Sequence, residues 1–176
     1  MIRFILLAVL IGVFTTSNAQ KLTFEQLDQL LNSSMDEAEE TLFLVGYTFL
    51  SKQNISDTAG VTHTFTNRKK TIGTAKEVRK GVYHKDITKS FVKYISYDRL
   101  EFERFRKLMI EYQFERSNKD EISENSNYTK DNLKVNFAVS TDKYENKVYA
   151  ITLQNYKSSP AEKSPKKLSL KNIFKQ

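Results

Sequence analysis

The chain holds two histidines, His63 and His84, and the second stands in a His-Lys-Asp string with Lys85 and Asp86. An imidazole beside a carboxylate suits proton transfer near neutral pH, because histidine titrates close to pH 6.5 and the carboxylate can orient it. One chemical expectation is therefore a secreted hydrolase or nuclease working through His84 and Asp86, supported by Lys85 or His63. That chemistry requires His63 and His84 to approach one another or a shared carboxylate. The competing expectation for His63, which alternates with Thr62 and Thr64, is a place on a strand face. A protein metal site normally takes three or four His, Cys or carboxylate ligands. Neither His-x-x-x-His nor Glu-x-x-His occurs, so no metal and no other cofactor is expected.

Asp36, Glu37, Glu39 and Glu40 are the densest carboxylate group. Such a group can do hydrolytic acid–base work or hold calcium. These four, however, open a helical pattern, where negative charge complements the exposed amides, and calcium-loop spacing with its turn glycine is missing. Nucleophile motifs are absent: there is no Gly-x-Ser-x-Gly and no phosphate-cradling glycine loop. Ser33, Ser34 and Ser90 read as caps or strand ends. No catalytic residue is assigned from the sequence, and a non-enzymatic protein is expected.

The aromatic supply points elsewhere. Nine Tyr and twelve Phe with no Trp suit contact surfaces, since a tyrosine offers apolar area and a hydroxyl, and interleaved Lys adds polar reach. Tyr83, His84, Tyr94, Tyr128 and Tyr149 are the candidate binding residues, expected on an open sheet face that meets a protein or glycan partner.

The elements that would position these residues can be read from caps and periodicity. Thr23 and Gln26 form a capping-box pattern, flanked by Leu22 and Leu27 as a hydrophobic staple. Ser34 and Glu37 repeat the box, and Met35, Ala38, Leu42 and Val45 make one apolar helical face, stopped at Gly46. Asp98 and Glu101 open a third helix, with Phe102, Phe105, Met109 and Tyr112 on its face. Strand-like alternation appears at Val61, His63 and Phe65, over 91–95, at Leu133, Val135, Phe137 and Val139, and at Tyr149, Ile151 and Leu153. Residues 142–146 read as a hairpin connection. Residues 67–90 are the least legible, either a hairpin or a long insertion. The string Gly46-Tyr47-Thr48-Phe49 is echoed by Glu111-Tyr112-Gln113-Phe114. This predicts an α+β fold by tandem duplication: a helix followed by three or four antiparallel strands, twice, over about 20–96 and 97–156, with the helices packed on one sheet face.

The two ends frame this domain. Arg3, the apolar run 4–14, and small residues up to Ala19 have the order of a secretory leader, cleaved between Ala19 and Gln20. The run is shorter than the roughly 20 residues a spanning helix needs, so no transmembrane segment is expected. Residues 157–176 carry six Lys against one Glu, both prolines and little apolar content, and read as a disordered basic tail whose end holds Leu168, Leu170, Ile173 and Phe174. With the leader's Arg3 and this tail set aside, the formal net charge of +7 falls to +1 over residues 20–156. A near-neutral body does not suit backbone binding to nucleic acid. The tail leaves room for a weak contact with an anionic surface, the basis of an alternative reading as an envelope-associated protein. Zero Cys in an exported chain excludes a disulfide framework and points to a bacterial source. The leading expectation is an exported binding module, periplasmic or secreted, acting through an open sheet face.

Overall fold

The computed structural model describes residues 21–55, 60–83, 86–117 and 124–155. The leader, the junction of Ala19 and Gln20, His84, Lys85 and the tail all lie outside them.

Two capped helices come first. In α1 (Phe24–Asn32) the Thr23 N–H donates to Gln26 Oε1 at 2.9 Å and the Gln26 N–H to Thr23 Oγ1 at 3.2 Å. In α2 (Met35–Leu44) Ser34 and Glu37 close the same reciprocal pair. A left-handed Gly46, φ 87°, ends α2, with the Tyr47 N–H donating to Leu42 O. Four strands follow: β1 (Thr48–Ile55), β2 (Gly60–Thr66), β3 (Lys76–Tyr83) and, after a short 3-10 turn at Ile87–Lys89, β4 (Phe91–Ser96). Helix α3 (Arg99–Glu111) precedes β5 (Glu115–Arg116), β6 (Ser126–Lys130), β7 (Leu133–Thr141) and β8 (Lys147–Asn155).

The eight strands of the described residues form one antiparallel sheet in the order β1-β2-β3-β4-β8-β7-β6-β5. Register partners share a face, so the pairs assign every strand residue to one side. Phe65, Val78 and Tyr94 fall on one face, as do Leu153, Val135 and Tyr128. These strand residues join Leu27, Leu30, Leu42, Phe102, Phe105 and Met109 of the helices in one buried cluster. The helices therefore cover a single face, with α1 over β4 and β8.

The expected pair of helix-plus-strand repeats is corrected by this arrangement. The described residues build one continuous sheet served by three helices, not two units of one helix and its own strands. The strand sets also differ, since β1 spans eight residues where β5 spans two. Even the echo is out of register. The left-handed turn positions are Gly46 and Gln113, and the residues that follow them, Tyr47 and Phe114, donate back to Leu42 O and Met109 O. Tyr112, the sequence match of Tyr47, is instead the exposed C-cap of α3. The described residues of 67–90 supply β3, hydrogen-bonded antiparallel to β2 before it and β4 after it, which answers to the hairpin alternative and not to an insertion.

Candidate functional site: the helix-free sheet face

The sheet face opposite the helices is covered by no element among the described residues. Its side chains can be read strand by strand from the register. One row runs Thr64, Arg79, Lys93, Thr152, Asn136, Asn127, and the next runs Thr62, Gly81, Phe91, Gln154, Lys134, Thr129. Six strands at about 4.8 Å spacing make each row about 24 Å long. Five of these residues, Asn127, Lys134, Asn136, Thr152 and Gln154, line a shallow polar depression. Within it Asn136 Nδ2 donates to Asn127 Oδ1 at 2.8 Å, and Gln154 Nε2 donates to Thr88 O at 3.0 Å. Arg79 pairs with Glu77 in the neighbouring row. Lys93 and Lys134 make no ion pair among the described residues. Thr62 and Thr64 are buried, and the rest of the two rows presents amides, the hydroxyls of Thr129 and Thr152, and three cations with no carboxylate between them. Such a surface suits hydrogen bonding and anion attraction.

The helix-covered face holds the stronger electrostatics, sealed from solvent. Lys76 Nζ donates to Glu101 Oε1 and Oε2 at 2.8 and 2.7 Å, and the Tyr94 hydroxyl donates to Glu101 Oε2 at 2.9 Å. Tyr94 is also hydrogen-bonded to Tyr47. Burial, with the Glu101 charge adding to it, pushes both phenols far above their ordinary range. Three hydrogen bonds converge on this carboxylate, so the cluster pins the first turn of α3 onto β3 and β4. Asp98 caps α3 through its bond from the Glu101 N–H at 3.1 Å, but the Glu101 side chain turns inward to Lys76, leaving the expected capping box half made.

Lys80 sits two positions along β3 from Val78, and its Nζ donates to the carbonyls of Leu30 and Leu31 at the end of α1. Burial lowers its ammonium to about 8, with the Glu37 charge opposing the fall. Its register partner His63 is held below its usual pKa by burial and by Lys52, and its Nδ1 has no partner among the described residues.

The sequence candidates are not brought together. Tyr94, Tyr128 and Tyr149, expected on the open face, lie buried beneath the helices, because hydropathy alternation separates two faces without saying which one is covered. Tyr83 does reach the helix-free side, where its ring lies over Gly60. His84 is outside the described residues. Asp86 accepts from the Thr88 N–H and hydroxyl and pairs with Lys89 at 3.6 Å, so its carboxylate fixes the 3-10 turn. Among the described residues no group of three or more His, Cys, Asp or Glu is placed to hold a metal ion, and no helix is long and apolar enough to cross a membrane. The polar rows were missed by sequence reasoning, although the alternation of Thr62, Thr64, Lys134, Asn136, Thr152 and Gln154 between apolar positions was their visible signal. Comparison with protein-family models, curated proteins and solved structures finds no match to this chain.

Proposed function

We propose that this is an exported binding protein that recognises an extended, anionic, hydrogen-bonding chain across the helix-free sheet face. An acidic glycan is the partner chemistry that fits best. The observation that carries this reading is the pair of polar rows, which set Arg79, Lys93 and Lys134 among Thr, Asn and Gln side chains without an intervening acid. A protein-binding core is normally apolar and aromatic, whereas these rows hold one aromatic, Phe91, suited to stacking on a sugar ring. Export rests on the order of residues 1–19, and binding by this face does not depend on the tyrosines first expected there.

The test is isothermal titration of the protein with polyuronate oligosaccharides against neutral dextran at 50 and 300 mM NaCl. Polyuronate binding should weaken with salt, as contacts between exposed charges do, and should fall at least tenfold in the triple substitution Arg79→Gln, Lys93→Gln, Lys134→Gln with unchanged circular dichroism. Equal affinity for dextran, or an unaffected triple variant, would sink the proposal.

A further inference from the structure

We infer that the chain's own residues 168–174 add to the open edge of β1 as a further strand, antiparallel to it. Among the described residues β1 is hydrogen-bonded to β2 alone and leaves its other edge unpaired over a strand of eight residues. Free edge strands are normally kept short, charged or covered, because their amides and carbonyls recruit other strands. This one is bordered by Phe43, Leu44, Phe49 and Leu50, exposed by 69, 75, 45 and 57 % within one stretch of chain around the Gly46 turn. A single exposed leucine means little; four large apolar side chains gathered there mark a contact surface.

The occupant follows from geometry and charge. β8 ends at Asn155, and the row through Gln154 continues over Phe91, Gly81 and Thr62 to Gln53, so the chain leaves the sheet at the end where β1 finishes. Four strand spacings, about 19 Å, separate the two. Residues 156–167 reach about 40 Å when extended, enough to bring residue 168 to that end. Running back along β1, residues 168–174 match its length and put Leu168, Leu170 and Phe174 on one side by the period of two. Helix α2 carries Asp36, Glu37, Glu39 and Glu40 with no basic residue. Glu39 acts on His63 and Glu37 on Lys80, so these acids lie beside the row of Lys52, His63 and Lys80, near the Ile55 end of β1. Lys166 and Lys167 immediately precede the docking segment and would arrive at that end. Pairing β1 with β1 of a second copy would instead set two such acidic turns on one face of the joint sheet.

Amide hydrogen exchange on the full chain tests this. At low micromolar concentration, with a monomeric mass, residues 51–55 should exchange at least tenfold more slowly in the natural sequence than in Leu168→Asp/Leu170→Asp. The charge-reversed Glu39→Lys/Glu40→Lys should also lose part of that protection. Equal exchange at 51–55 in the natural and tail-substituted chains overturns the proposal. Protection that fades on dilution together with a dimer-to-monomer shift overturns it too, since the occupant is then a second copy.

Discussion

Lys76 and Lys80 occupy inward positions of β3, on the same side as Val78, and each solves burial differently. Lys76 has a carboxylate partner at hydrogen-bond distance, which compensates desolvation of both charges. Among the described residues Lys80 has only carbonyl acceptors, and burial lowers its ammonium to about 8 against an ordinary 10.5. The folded value lies below the unfolded one, so between those two pH values the unfolded chain holds more protons and stability rises with pH. At about 1.4 kcal/mol per unit, the natural protein should gain about 3 kcal/mol relative to Lys80→Met between pH 8 and 10.5, and nothing below 8. Urea unfolding of both proteins across this window checks it, and parallel stability curves would contradict it. The buried tyrosines act in the opposite sense above pH 10, but both proteins share them, so the difference isolates Lys80. These two lysines also explain why β3 was illegible: a strand whose inward residues read Lys, Val, Lys, Val hides the apolar alternation that reveals its neighbours.

At the scale of elements, the caps were readable because their chemistry is local. Thr23 with Gln26 and Ser34 with Glu37 satisfy amides three residues away, a relation fixed by helix geometry and independent of the rest of the fold. Strand partners are not local, and the sheet holds a fit that spacing alone could not announce. Gly81 in β3 faces Phe91 in β4. A Cβ built at Gly81 would meet Phe91 Cε1 at 2.2 Å, so the ring occupies the space an ordinary side chain would take. Gly81→Ala should therefore force the ring aside and cost about 1–3 kcal/mol, in the range of overpacking. Pairing it with Phe91→Ala should recover part of that loss. Denaturant midpoints for the two single variants and the double variant give the coupling energy, and simple additivity would show that the ring and the glycine do not interact.

At the scale of the molecule, the question is whether the chain has one core or two. The halves expected from the sequence meet at β4 and β8, which are adjacent central strands, and α1 packs over both. Leu27 and Leu30 of α1 share one buried cluster with Phe102 and Phe105 of α3 and with Ile151 and Leu153 of β8. Separating the halves would strip β4 of its outer partner and leave the underside of α1 half covered, so neither part retains a core of its own. Small domains with one core unfold as a unit. Urea unfolding should accordingly give a single transition, coincident by far-ultraviolet circular dichroism and tyrosine fluorescence, with the slowest-exchanging amides in β4 and β8 and the fastest of the strand amides in two-residue β5. Two separable transitions, or slow exchange confined to one side of the β4/β8 seam, would mean that the halves are autonomous. A single transition would tie the integrity of the polar rows to the whole fold, because Lys93 stands on β4 and Thr152 on β8 and the seam between them is what holds the two sides of that surface in register.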